Sequence, residues 1–321
     1  MRRVLFTLSS ALILASCGSD GSGGSTGGTP APSPTPSPSP SPTPTPTPTP
    51  TPVASYSTFD ALAGDQNYPT GCASAQFPAG LPTVSPATNF GAGLQFTYTA
   101  ATQVHALNGD GISLSFGPAD HSALNSTANA DVWIKGNDDL TLEALTWGGT
   151  RMVYNRVSYL DTSKAGTLVA YACITGVPTL DFDVPTSGTA AFPKAGMDAA
   201  AFSLNSGTVV NYALSKSIVT FQADFAAKKV TIAAHLIATT SGPPPHTDVD
   251  LGTVTGNGTI DAATGRFSGI WSSTDRDAQG NFAGSFFGPQ AQEFGLTYSV
   301  DGKDGTGTRI FASYGAINGS R

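Results

Sequence analysis

The chain has 321 residues, of which 39% are hydrophobic and only 12% charged, which is apolar material for one large core or two modest ones. Lys and Arg number 15 against 22 acidic residues, giving a net charge of −7 with no basic cluster, so nucleic acid is not expected as a partner. The four histidines, His105, His121, His235 and His246, show no metal-ligand spacing, and neither a metal nor a cofactor is expected.

At the N-terminus, Arg2 and Arg3 precede an apolar run from Val4 to Leu14 and then the small residues Ala15 and Ser16 before Cys17. That is the pattern of an export signal. The run is too short to cross a hydrocarbon core of roughly 30 Å, so no transmembrane helix is expected from it. Leu14-Ala15-Ser16-Cys17 resembles the lipobox of bacterial lipoproteins. The resemblance implies lipidation of Cys17 after removal of residues 1–16 and anchoring by acyl chains such as palmitate; the alternative is an ordinary cleaved signal with a chance cysteine. Each buried methylene of an anchor contributes about 0.8 kcal/mol.

From Gly18 to Pro52 the chain is first Gly/Ser-rich and then an alternation of Pro with Ser and Thr. Such a composition cannot bury apolar surface and reads as a disordered tether over residues 17–53. Its Pro-rich part favours polyproline II, which would lift the folded part by some 60–70 Å at ~3.1 Å per residue. Gly23-Gly24-Ser25-Thr26-Gly27 matches the nucleophile-elbow pattern but lies in low-complexity linker, without the strand-to-helix turn that the motif needs. Setting Cys17 aside leaves Cys72 and Cys173 in a chain bound for an oxidising compartment, where a disulfide is expected over two free thiols.

Beyond the tether the composition is all-β: short alternating runs rich in Gly, Thr, Ser and aromatics, punctuated by Gly, Asn and Asp. Leu94, Phe96 and Tyr98 share one face, as do Val230, Ile232, Ala234 and Leu236, the signature of half-buried antiparallel strands. In the C-terminal part about eight strands are expected, the number at which an up-and-down barrel closes around a filled interior. They lie around Thr208–Leu214, Ile218–Phe225, Val230–Thr239, Val249–Ile260, Arg266–Ser273, Asn281–Phe287, Leu296–Val300 and Thr308–Tyr314. Two hairpins set aromatics around a glycine, Phe267-Gly269-Trp271 and Phe282-Gly284-Phe286. Core packing is the expected role of this stripe, with ligand stacking as the alternative.

One stretch, Gly284-Ser285-Phe286-Phe287-Gly288-Pro289-Gln290-Ala291-Gln292-Glu293-Phe294-Gly295, sets a lone carboxylate beside aromatics. Such a Glu can be a catalytic acid in a dry pocket or a residue that merely ends a strand. Pro289 should end the strand before it, leaving Gln290 to Glu293 as a loop with Glu293 at the rim. The stretch resembles the GxFYGPxAxExGG signature of transferrin-binding protein B and related bacterial surface lipoproteins. A second segment, from Gly176 through Pro185-Thr186-Ser187-Gly188-Thr189-Ala190-Ala191-Phe192, is similar to the entry into the same barrel. Leu296 stands where the family has a second Gly, and Phe287 and Phe192 replace its usual Tyr.

The resemblance implies an all-β chain with a β-rich handle over residues 54–187 and an eight-stranded antiparallel barrel over 188–321. It implies a structural role for Gly284, Phe286, Phe287, Gly288, Pro289, Ala291, Glu293 and Gly295, and hence no catalytic residue. The function it implies is a non-enzymatic outer-membrane lipoprotein, at the cell surface rather than the periplasmic face, which binds a protein or small solute in the manner of iron- or haem-acquisition proteins. A structural or adhesive surface protein is the second reading. A hydrolase is the third; the one tight acidic group of the handle is Asp138-Asp139 with Glu143, and Asn137-Asp138-Asp139 reads as a turn. Asp301-Gly302-Lys303-Asp304-Gly305 has too few carboxylates for calcium and reads as a hairpin. Gly242-Pro243-Pro244-Pro245-His246 is a Pro-stiffened loop and a candidate for ligand contacts, a plain connection being the simpler reading.

Overall fold

The computed structural model describes residues 55–241, 245–273 and 277–321. Cys17, the tether and residues 242–244 of the Pro-rich loop therefore lie outside the described residues. Among those described, strands dominate, with four short 3-10 turns as the only helical elements.

The N-terminal half holds β1 (Gln66–Tyr68), β2 (Gly71–Gln76), β3 (Thr83–Ser85), β4 (Gln95–Thr99), β5 (Val104–Gly109) and β6 (Ile112–Phe116). It continues with β7 (Ala130–Lys135), β8 (Asp138–Glu143), β9 (Thr146–Trp147), β10 (Thr150–Arg151), β11 (Asn155–Lys164) and β12 (Thr167–Gly176). They form a four-stranded sheet in the order β1-β4-β5-β6, a six-stranded sheet β3-β2-β12-β11-β8-β7 and the small hairpin β9-β10. The hairpin turns on Gly148 and Gly149, both at positive φ, as a two-residue primed turn requires.

The six-stranded sheet is covered on both faces. Leu140, Leu160, Val169 and Tyr171 pack against Phe96, Leu107 and Phe116 of the four-stranded sheet. Ala73, Ala75, Ala170 and Ala172 pack against Phe202, Ala312 and Tyr314 of the C-terminal half. Burial on two faces explains why β12 reads as an almost continuous apolar run. Cys72 and Cys173 stand directly opposite each other on β2 and β12 and are joined by a disulfide.

The C-terminal half contains β13 (Thr189–Ala191), β14 (Lys194–Asn205), β15 (Thr208–Ala213), β16 (Ile218–Asp224) and β17 (Lys229–Thr240). After these come β18 (Asp248–Ile260), β19 (Arg266–Ser273), β20 (Ala278–Phe287), β21 (Glu293–Lys303) and β22 (Arg309–Ser320). All neighbours are antiparallel, and the pairing of β17 with β18 closes the sheet on itself. Lys229 to His235 of β17 pair with β16, whereas Thr239 and Thr240 pair with β15. Thus β15 and β16 are two halves of one stave, interrupted by a bend at Leu214–Ser217, and β13 with β14 forms another. The closed sheet has about eight staves, the number at which side chains alone fill the interior.

The eight strands expected from sequence are not the same eight staves. Thr208–Leu214 and Ile218–Phe225 were separate strands in that reading but share one stave, and β14 was missing from it. The reason is physical. Met197 and Ala201 of β14 face the interior while Phe202 packs on the handle, so apolar residues lie on both faces and the polar alternation is blurred.

Phe192, Phe221, Phe267, Trp271, Phe282, Phe286 and Phe294 fill the interior. Trp271, Phe282 and Phe286 are fully buried, so the aromatic stripe is core. A Cβ at Gly269 would lie 2.5 Å from the Phe282 ring, which crosses the strand at the place where the side chain is missing. The handle and the closed sheet belong to one compact unit, residues 52–321. Asn281 on the outside of β20 helps to dock them: its amide donates to the Ala87 carbonyl at 2.8 Å and accepts from the Ala87 N–H at 2.9 Å, as a neighbouring strand would.

Candidate functional site

The signature stretch begins at the end of β20, where alternation sends Phe286 inward and Phe287 outward. Phe287 meets the handle, edge-on to Phe90 at 5.4 Å between ring centres. Gly288 follows at φ +69°, and a Cβ there would also strike the Tyr154 ring at 2.4 Å. Glycine is required twice over, by conformation and by space. Pro289 to Ala291 make one 3-10 turn, with Gln290 and Ala291 both at positive φ. Asp183 holds this turn from outside, accepting from the Gln290 N–H and the Gln290 side-chain amide, each at 2.9 Å.

Glu293 is not at a rim, where the sequence reading put it. It is the first residue of β21 and is only 1% exposed. Its Oε1 accepts from the Val153 N–H at 2.7 Å. Its Oε2 accepts from the N–H groups of Tyr154 and Asn155, both at 3.0 Å, and from the Asn155 side-chain amide at 2.7 Å. One carboxylate thereby holds the handle backbone where it enters β11. The Asn155 Oδ1 accepts in turn from the Asn318 amide at 2.7 Å, and the Asn318 Oδ1 accepts from the Trp147 indole N–H at 2.6 Å. Arg156 closes the network, donating to the carbonyls of Met152 and Asn155 and pairing with Asp60.

Electrostatics in this joint are finely opposed. Burial pushes the Glu293 carboxyl above its ordinary value, while the N–H groups of Val153, Tyr154 and Asn155 and the charge of Arg156 pull it back. Burial likewise raises the Asp60 carboxyl, but hydrogen bonds from Arg151 and Arg156 outweigh it and leave the group below its usual range. Four hydrogen bonds from the protein, three of them to Oε2, account for how this carboxylate is accommodated in the interior.

The rest of the motif is closely packed, partly against the handle and partly inside the closed sheet. A Cβ at Gly295 would lie 2.5 Å from the Ile174 side chain of β12. Gly284 sits so close to the neighbouring strand that a Cβ would come within 2.1 Å of the Gly295 carbonyl. Ala291 is fully buried under the closed sheet. Leu296, in the place of a second glycine, points into the core, and Phe287 and Phe192 are buried as plain hydrocarbon rings. Sequence reasoning missed Asn155, Arg156, Trp147 and Asn318. No local pattern marks them: the partners of Asn155, Trp147 and Asn318 lie more than a hundred residues away, and the Asp60 that pairs with Arg156 lies 96 away.

The other expected features disperse. Asp138, Asp139 and Glu143 all lie in strand β8, and the turn before it is made by Gly136 and Asn137. Asp304 accepts from the N–H groups of Thr306 and Thr308 in the β21–β22 hairpin. His235 is bonded to Asp250 at 2.9 Å on the outer face, and His246 lies 2.9 Å from the Thr240 carbonyl. Among the described residues no group of three or more His, Cys, Asp or Glu could hold a metal ion.

Residues 184–318 match the family profile described as the C-lobe and N-lobe beta barrels of Tf-binding protein B. That part of the chain is transferrin-binding protein B-like, and the family it matches is one of binding proteins, not enzymes. No curated protein sequence matches the chain. Among solved structures, a transferrin-binding protein B antigen from Haemophilus parasuis is similar at 14% identity and a TM-score of 0.45, covering 79% of this chain and 46% of that one. Isotype 1 transferrin-binding protein B from serogroup B Neisseria meningitidis is similar at 17% identity and a TM-score of 0.43, covering 79% and 43%. The N-lobe domain of lactoferrin-binding protein B from Moraxella bovis shows 14% identity and a TM-score of 0.29, covering 63% and 78%. The chain spans less than half the length of the first two.

Proposed function

We propose that this chain is a non-enzymatic binding lipoprotein of a bacterial outer membrane, held by acyl chains on Cys17 and displayed at the cell surface, where it captures a protein or a small solute. In this reading residues 1–16 are the signal, 17–53 the anchor and tether, 54–187 the handle and 188–321 the closed sheet. The observation that carries it is the match of residues 184–318 to the Tf-binding protein B barrels. The similar proteins are named for transferrin or lactoferrin, and the ligand class proposed here is accordingly an iron-carrier protein or haem. The filled aromatic interior supports capture by outer surfaces and loops, where binding residues concentrate on a rigid scaffold.

The test is capture by the full chain on beads from host serum and secretions, beside the Cys17→Ala variant. Specific retention of an iron carrier, with Cys17→Ala released from the membrane fraction, is the expected result. Failure of the folded chain to retain any component would overturn the binding assignment. Unchanged membrane retention of Cys17→Ala would overturn the anchor.

A further inference from the structure

The handle carries a recess of about 300 Å³, remote in sequence from the signature stretch and lined by Tyr98, Gln103, His105, Pro118, His121 and Trp133. Strand register builds it. Tyr98 on β4 and His105 on β5 are directly opposite each other, and His121 bridges to Trp133 on β7. The rings touch in series: Tyr98 to His105 at 4.8 Å between centres, His105 to Trp133 at 4.5 Å, and His121 to Trp133 at 5.5 Å. Asp131 lies 3.4 Å from His121 Nε2, and its side chain is 62% exposed.

The charge in this recess is one-sided. Burial pushes the His105 imidazole down to about 4, against the pull of Asp131, and its Nδ1 is buried with no hydrogen-bond partner. His105 is therefore uncharged near neutral pH and presents a π face. Lys135, two residues along β7 from Trp133, is engaged elsewhere, donating to the Ser115 carbonyl at 2.8 Å. What remains is the faces of Tyr98 and Trp133, negative at their centres, with the uncharged imidazole of His105 between them and one carboxylate, Asp131, nearby. An anion would be repelled there. A cation with apolar substituents would gain from the rings and lose little hydration.

We propose that this recess binds a small organic ammonium ion of the quaternary class, seated against Tyr98, His105 and His121 beside Asp131. The inference deepens the binding-protein reading by naming a solute class, and it rests on that reading for its purpose. Its test is separate from the capture of a carrier protein, so either can fail alone.

The experiment is calorimetric titration of the full chain with choline and with dimethylbutanol, in which a quaternary carbon replaces the nitrogen. Choline is expected to bind saturably, roughly tenfold tighter than the uncharged isostere. Asp131→Asn alters an exposed side chain, and it should weaken choline severalfold while leaving the isostere unchanged. Tyr98→Leu should weaken choline as well, with the melting temperature of each variant checked first. As a readout on the unaltered chain, choline should shift the imidazole resonances of His105 and His121 but not those of His235 and His246. Absence of saturable binding, equal binding of the isostere, undiminished choline affinity in Asp131→Asn, or shifts at His235 or His246 instead would each overturn the proposal.

Discussion

Glu293 and Asn155 are 138 residues apart in sequence and joined by two hydrogen bonds, from the Asn155 N–H and from its side-chain amide. This contact ties the first residue of β21 to the first residue of β11, so the entry into one sheet fixes the entry into another. Glu293→Ala would leave three backbone N–H groups and one amide buried without their acceptor. That is expected to cost ~3–5 kcal/mol, in the range for breaking a buried charged network. Glu293→Gln keeps the volume but replaces one acceptor oxygen with a donor facing other donors, and should cost ~1–3 kcal/mol. Urea unfolding of both variants checks this, and a Gln variant as stable as the parent would show that the carboxylate does not hold the joint.

Close approach at Gly295 leads to a second expectation. A Cβ there would meet the Ile174 side chain at 2.5 Å, so Gly295→Ala forces either that side chain or the spacing of β21 and β12 to shift. A compensating Ile174→Ala would make room but leave a cavity on the other side of the joint, so the double variant should recover only part of the loss. Overpacking of this kind costs ~1–3 kcal/mol. A double-mutant cycle measures the coupling, and strictly additive effects would remove Gly295 from the joint.

How much of this was legible in the sequence depends on how local the cause was. The inward rings Phe267, Trp271, Phe282 and Phe286 recur at period two beside turn residues, and their role could be read directly. Strand β14 could not, because its two faces meet two apolar neighbours and the polar alternation that marks a strand is blurred. The motif drew attention to Glu293 but did not give its position. Its burial is created by residues 153–155, which only the completed fold brings to it. The recess around His105 was equally hidden, since four separate segments supply its rings.

A pH dependence follows from the carboxylates between handle and closed sheet. Burial, and then the charge of Asp198, raises the Glu143 carboxyl; burial, and then the charge of Asp139, raises that of Asp161. A carboxyl whose folded value lies above its unfolded value binds more protons in the native state. Its ionisation therefore opposes folding, and stability falls as pH rises through the interval between the two values. Glu143→Gln and Asp161→Asn should accordingly raise the melting temperature at about pH 7 and lose that advantage at about pH 4. Thermal unfolding at both values checks the sign. A gain that persists undiminished in acid would assign the effect to packing rather than charge.

The disulfide allows the handle to be weakened without touching the joint. Cys72 and Cys173 close a loop with a sequence separation of 101 and lie on the face of the six-stranded sheet that meets Phe96, Leu107 and Phe116. In the chain-entropy picture a cross-link of that span stabilises by ~4–5 kcal/mol, and measured values often fall below it. The double variant Cys72→Ala, Cys173→Ala should therefore lower stability by a few kcal/mol. Because both residues sit on the far side of the sheet from the closed sheet, the loss should appear first as hydrogen exchange in β2, β12 and their neighbours. The amides of Val153, Tyr154 and Asn155, held by Glu293, should stay protected to higher denaturant than those of β2. If instead the joint amides open together with β2 in the cysteine-free variant, then handle and closed sheet unfold as one cooperative unit, and the hydrogen bonds to Glu293 do not confer local stability of their own.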